Sequence, residues 1–358
     1  MGTRPNFIKV TRFRQLAAHH PSLDIRFVHT GQHFDEKMSK VFFEQFDLKP
    51  DYMLNIGQGT PNSQMAAVML GLEKVCMEYM PDLLMVVGDV NSTFAAALTG
   101  NKMNIKVAHL ESGLRSFDRD MPEEINRILT DEITDYYFVT EQSGLDNLKT
   151  EGKAEDRMFM VGNTMIDSLV EFDENVRKSK VLDELGLEKG GFVLMTMHRP
   201  SNVDEKEGLK ELIGMIKSIT ARLKLVFPIH PRTVNRLKQF DMWKDIEKLP
   251  GLIFTEPLDY FSFQKLTAEC RFVVTDSGGI QEETTFRQIP CLTLRNNTER
   301  PSTVETGSNI LVPYRLEMLE KYMSDILEGR FKKGGIPPLW DGKSTERILA
   351  ILEKVLNA

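Results

Sequence analysis

Two doubly wound α/β domains are predicted by three features of this 358-residue chain. Short apolar runs of strand length alternate with longer helical patterns, the mark of a parallel sheet flanked by helices. The alternation stops at a charged, weakly apolar segment at about Glu174 to Gly190 and then restarts. The length suits two domains of ordinary size, each burying its own core.

In the first half the strand-bearing runs are LDIRFVHTGQH, PDLLMVVGDVNSTFAAALTG, IKVAHLESG, DYYFVTE and RMFMVGNTMIDSL. In the second they are GGFVLMTMHRPSN, LKLVFPIHPRT, GLIFTEPLDYF, RFVVTDSGG, IPCLTLR and SNILVP. The terminal STERILAILEKVLNA has apolar residues at helical spacing and predicts a closing helix over about 344–358 that packs back on the first domain. The expected domains are residues 1–168 with that helix, and residues 169–343. Ligands of such sheets bind beyond the carboxyl ends of the strands, so the polar ends of these runs are where function is sought.

Net charge is −7, with basic residues scattered rather than gathered into runs. That argues against a nucleic-acid or membrane-surface partner and requires any anionic ligand to be held by a local cluster. Cys76, Cys270 and Cys291 are far apart and form no CxxC pair, so neither a disulfide framework nor a zinc site is supported. No apolar run reaches the length of a membrane span, and MGTRPNFIKV lacks a signal-peptide core. The chain reads as cytoplasmic.

The stretch TDSGGIQEE places Ser277, Gly278 and Gly279 at the start of a helix. Unpaired backbone N–H groups there, with no Cβ in the way, suit a phosphate or diphosphate; an ordinary turn capped by Ser277 is the plainer reading. Glu282 and Glu283 are expected to start the same helix, Glu283 within reach of a ribose diol, and Arg300 of TERP could supply a cation for the diphosphate. Asp89 and Glu111 directly follow apolar strands, poor places for a solvated charge, and are candidates for chemistry. Glu123 and Glu124 follow Pro122 and read as acids of a helix first turn. His33, His109, His198 and His230 fall at or just past strand ends, each more often structural when taken alone. No HExxH spacing supports a metal site, and no GxGxxG after a strand supports a nicotinamide cofactor.

As a set, these residues resemble the non-hydrolysing UDP-N-acetylglucosamine 2-epimerases. The matching stretches are GTRPNFIK at Gly2–Lys9, TGQH, GDVNST, HLESGLRS, PEEINR, GNTMID, HRPSN, the HP at His230, TDSGGIQEE and TERP. The resemblance implies a GT-B-type fold, two Rossmann-like domains facing a central cleft. It also implies catalytic positions at Asp89, Glu111, Glu123 and His198. Arg4, Lys9, Arg127, His230, Phe263, Ser277, Gly278, Gly279, Glu283 and Arg300 match positions that bind the UDP-sugar, with Phe263 near the uracil and Glu283 on the ribose. No cofactor and no metal are expected, and a homodimer is.

The implied reaction inverts C-2 of the sugar of UDP-GlcNAc to give UDP-ManNAc. With no carbonyl beside that carbon and no oxidising cofactor, elimination of UDP to 2-acetamidoglucal and re-addition is the route, and two faces require two acid/base groups. Domain closure over the intermediate is expected. A glycosyltransferase on the same fold, an epimerase of another UDP-N-acetyl sugar and a non-enzymatic sugar-nucleotide sensor are the alternatives. Gln32 and His33 are followed by Phe34 and Asp35, where bacterial members often carry Gln-His-Arg-Gln in a regulatory UDP-GlcNAc site, so that site is not carried over. The order of such sheets also predicts a strand of roughly five to seven apolar residues ahead of Met1, missing from this sequence.

Overall fold

The computed structural model describes all residues but 32–42, 44, 58 and 358, and of Arg4 the backbone alone. Gln32, His33, Phe34 and Asp35, and the side chain of Arg4, therefore lie outside the described residues. The chain divides into two compact units, Met1–Glu171 with Pro338–Ala358, and Phe172–Pro337.

In the first unit β1 (Val28–His29) pairs with β2 (Tyr52–Met53), while β3 (Leu83–Val87), β4 (Lys106–Leu110), β5 (Tyr136–Val139) and β6 (Met158–Met160) form a separate four-stranded sheet in chain order; all pairings are parallel. Buried residues dominate β4, with Val107, Ala108 and Leu110 fully enclosed, as expected of a parallel strand covered on both faces. The helix Pro61–Tyr79 starts where the Thr60 hydroxyl accepts from the Ser63 amide at 3.3 Å, with proline at its first position. It buries Val68, Leu72 and Cys76, four residues apart, on one face.

Two helices close this unit, one at each end of the chain. Arg4–Ile8 is a short turn, and Ser344–Leu356 returns from the far end. The amides of Ser344 and Thr345 donate to the two oxygens of buried Asp167, at 3.0 and 2.6 Å. Burial pushes the Asp167 carboxyl up, and these bonds pull it back only in part. Just before the helix, the Trp340 indole N–H donates to the Thr140 carbonyl at 3.1 Å, and Ile348 and Leu349 are fully buried.

The second unit holds six parallel strands, β7 (Phe192–Thr196), β8 (Lys224–Pro228), β9 (Leu252–Thr255), β10 (Phe272–Thr275), β11 (Cys291–Thr293) and β12 (Asn309–Leu311), in the order β12-β11-β10-β7-β8-β9. Along β7, Phe192 and Leu194 join one buried cluster with Leu266 and Val273, while Val193 and Met195 join another with Leu209, Leu212 and Ile216. Alternate residues thus serve two covered faces, which is why the sequence shows an unbroken apolar run there. The order reverses between β7 and β10, so a ligand crevice opens past their carboxyl ends.

Replacing Asp167 by alanine should leave two buried amides unsatisfied. It should destabilise the first unit by about 2–3 kcal/mol, read as a shift of its urea transition to lower denaturant.

Candidate functional site

The reversal point of the second sheet gathers His198, Asp276 and Ser277. Asp276 directly follows β10 and is fully buried. It accepts from the backbone N–H of His198 at 3.0 Å and of Arg199 at 2.8 Å, from Asn202 Nδ2 at 3.3 Å, and pairs with His198 Nδ1 at 3.0 Å. Burial alone would raise this carboxyl, but the His198 ring and the two amides hold it below the usual range. It therefore fixes the half-exposed His198 ring through Nδ1 and leaves Nε2 as the nitrogen to meet a ligand. The His230 ring lies 5.7 Å from that of His198. His230 Nδ1 accepts from the Arg232 amide at 3.1 Å, and burial, then the neighbouring His198 and Arg232, push its pKa down.

Ser277 precedes the helix Gly278–Arg287 without a side-chain capping bond, so the amides of its first turn face the crevice. A Cβ on Gly278 would come within 2.6 Å of Glu299 Oε1 and 2.9 Å of Arg300 Nη1, so a side chain there would displace the ends of both. Arg300 is buried between two acids: Nε lies 2.9 Å from Glu282 Oε1, and Nη1 pairs with Glu299 Oε1. Arg295 meets the other Glu299 oxygen at 2.9 Å.

Glu282 and Glu283 do not start the helix as the sequence suggests. The helix begins at Gly278, which puts both in its second turn, and both are buried by packing rather than solvated. Burial pushes Glu283 up to about 7, against smaller opposing effects of Gln264 and Arg287. Tyr260, raised well above its usual value by burial and then by Glu283, lies on the helix Tyr260–Glu269 with Gln264 and the half-buried Phe263. Phe263 packs on the cluster that holds Phe192, Leu194 and Val273.

In the first unit Lys9 Nζ meets Glu111 Oε2 at 2.6 Å, both side chains buried. Glu111 stands at the end of β4 with φ of +73°, a left-handed conformation that a non-glycine residue holds only when its surroundings impose it. Gly88, at φ +70°, closes the same corner: a Cβ there would lie 3.3 Å from Asn6 Oδ1 and 3.5 Å from Lys9 Nζ. Asp89 follows, partly exposed, and its Oδ2 receives Arg127 Nε at 3.1 Å and Nη2 at 2.8 Å. Arg127 Nη1 also reaches Glu124 Oε2 at 2.5 Å. Glu124 is buried and accepts the amides of Ser116 and Phe117, each at 2.9 Å. Its neighbour Glu123 is exposed on the first turn of the helix Pro122–Glu132.

Beneath this corner, His109 Nδ1 pairs with Asp131 Oδ1 at 2.6 Å and Nε2 lies 2.8 Å from the Gly88 carbonyl. Asp131 Oδ2 takes the Gly113 amide at 3.0 Å and Arg115 Nη1 at 2.8 Å. Burial works to raise this carboxyl, but His109 and Arg115 hold it low. The predicted residues thus form three clusters: Lys9 with Glu111, and Asp89 with Arg127, on the first unit; His198 with His230, and Ser277 to Gly279 with Arg300, at the second unit's reversal point; and Phe263 with Glu283 on two packed helices. The sequence gives no expectation of Asp276, Asp131 or Glu124 in any of these clusters. Asp276 carried the signal used for Asp89 and Glu111, an acid directly after a buried strand, whereas Asp131, inside a helix, carried none.

A family model described as UDP-N-acetylglucosamine 2-epimerase matches residues 15–353. The UDP-N-acetylglucosamine 2-epimerase of Methanocaldococcus jannaschii is 42% identical over 98% of this chain and 97% of its own. The UDP-2,3-diacetamido-2,3-dideoxy-D-glucuronate 2-epimerase of Pseudomonas aeruginosa is 36% identical over 89% of this chain and 88% of its own. Among solved structures, the M. jannaschii UDP-GlcNAc 2-epimerase in complex with UDP-GlcNAc and UDP superposes with a TM-score of 0.89 at 40% identity, covering 99% of this chain and 98% of that one. The chain belongs to the UDP-N-acetylglucosamine 2-epimerase family, a family of isomerases with two Rossmann-like domains.

Proposed function

We propose that this chain interconverts UDP-GlcNAc and UDP-ManNAc by eliminating UDP and adding it back. The observation that carries the reading is the strained corner of the first unit, where Glu111 is held in a left-handed conformation against Lys9 and beside Gly88 and Asp89. Carboxylates fixed at a strand end suit proton transfer at a carbon with no activating carbonyl. A carboxylate removes the C-2 proton as the C-1 to oxygen bond breaks, giving 2-acetamidoglucal and UDP. The recombination delivers a proton to the opposite face. Asp89, Glu111 and Glu123 are the acid/base candidates.

The second unit supplies what the departing diphosphate needs: the amides of Ser277 to Gly279, His198 oriented by Asp276, and Arg300. His230 lies beside that group, Phe263 takes the uracil, and Glu283 accepts from the ribose diol. Arg4, Lys9 and Arg127 serve the sugar nucleotide from the first unit. The reaction draws on no metal and no added cofactor, and its product supplies a ManNAc nucleotide for surface polysaccharide in the cytoplasm. Homodimer formation is part of the reading, supported by Leu70 and Met77, seven residues apart on one helix face and 63% and 65% exposed. A UDP-sugar with further acetamido substituents is the second reading, favoured by the 36% identity to the P. aeruginosa relative.

Incubated with UDP-GlcNAc alone in deuterated water, the protein should form the 2-epimer with deuterium at C-2, and added NAD or chelator should change nothing; product without solvent label would overturn the elimination. Asp89→Asn, Glu111→Gln and Glu123→Gln should each lower kcat on the order of 100-fold or more with UDP affinity nearly unchanged, whereas Arg300→Ala should weaken UDP itself. The ionised form of Glu283 is the one that accepts two hydroxyls, and its carboxyl sits at about 7. UDP affinity, measured by calorimetry, should therefore rise as pH increases through 7, and Glu283→Gln should remove that part of the rise.

A further inference from the structure

The parallel ladder between β3 and β4 runs out beside Asp89. Val86 lies opposite His109 and Val87 opposite Leu110, and the Gly88 amide adds one more bond, to the Leu110 carbonyl at 3.1 Å. In a continuing ladder the Ser112 amide would next donate to the Gly88 carbonyl. That amide turns instead to the Phe138 carbonyl on β5, at 3.2 Å, and His109 Nε2 takes up the Gly88 carbonyl at 2.8 Å.

This carbonyl belongs to the Gly88–Asp89 peptide. Gly88 sits at φ +70° and, with no Cβ, leaves that peptide plane sterically free to turn, so its angle is set by what bonds it. On the other side of Asp89, Asn126 Nδ2 donates to the Asp89 carbonyl at 2.9 Å, and Arg127 holds the carboxylate.

His109 can donate to Gly88 because of Asp131. Both side chains are fully buried. Asp131 Oδ2 takes the Gly113 amide and pairs with Arg115, which keeps the group a carboxylate, and Oδ1 faces His109 Nδ1 at 2.6 Å. A ring with an acceptor at each nitrogen must carry both protons; a neutral imidazole would turn a lone pair on Asp131 or on Gly88.

On the reading of Asp89 as an acid/base group, we propose that His109, held by Asp131, is a positioning residue for its proton transfer: the Nε2–H fixes the peptide from which the Asp89 side chain springs. A shift of about 1 Å in such a group can cost about 100-fold in rate, with substrate binding left as it was.

Epimerisation of UDP-GlcNAc by the wild-type chain and three variants tests this. His109→Leu removes the donor, and Asp131→Asn leaves a ring that can give a proton to one side only. Each should lower kcat about tenfold or more with KM nearly unchanged. His109→Gln, whose amide can still donate to Gly88, should recover most of the loss. Wild-type kcat in His109→Leu, or a His109→Gln variant as slow as His109→Leu, would overturn the positioning role; a wild-type chain that epimerises no UDP-GlcNAc would overturn the reading of Asp89 instead. If the variants fail to fold, the wild-type chain labelled with nitrogen-15 histidine decides: both ring nitrogens of His109 should carry protons at neutral pH, and a bare Nε2 would overturn the proposal.

Discussion

Backbone N–H groups left over past strand ends and at helix starts must find acceptors where water cannot reach, and this protein meets that demand with buried carboxylates. Asp276 accepts from His198 and Arg199, Asp131 from Gly113, Glu124 from Ser116 and Phe117, and Asp167 from Ser344 and Thr345. The dependence runs both ways. A buried amide without its acceptor costs about 1–3 kcal/mol, and a buried carboxylate without donors would take up a proton instead of holding charge. Corners built this way are rigid, so Glu111 and His198 are presented by stiff turns rather than by loose loops.

The same economy shapes the cations. Lys9 is neutralised by Glu111, Arg127 by Asp89 and Glu124, and Arg300 by Glu282 and Glu299. Around Arg300 the two acids already offset its charge, so an anion arriving at the Gly278 helix meets oriented amides and a fixed imidazole more than an excess positive field. Arg127, bridging two acids of different exposure, ties the partly open Asp89 to the closed loop held by Glu124, and a shift in one is felt by the other.

The fold class was legible because strands covered on both faces give unbroken apolar runs, as in FVLMT and FVVT, followed by turn residues. The placement of Asp89 and Glu111 past strand ends was legible for the same reason. Partners across the sheet were not: nothing local marks Asp131 as the group beneath His109, or Glu299 as the neighbour of Gly278. The acids of Gln281–Glu283 are polar residues of a helix, yet Arg300 pairs with Glu282 and the helix Tyr260–Glu269 brings Tyr260 and Gln264 to Glu283, and both acids are buried. Burial of a charged side chain is a property of what packs on it, and no periodicity encodes that.

The return of residues 338–358 to the first unit orders events during synthesis. A ribosome releases residues 172–337 as one contiguous stretch able to collapse on itself, while Asp167 waits for two amides 177 and 178 residues downstream. Until Ser344 and Thr345 emerge, the nascent first unit carries a carboxyl without these two donors, an open seat at Thr140 for Trp340, and the uncovered apolar contacts of Ile348 and Leu349. The unit translated first is therefore the last to be finished.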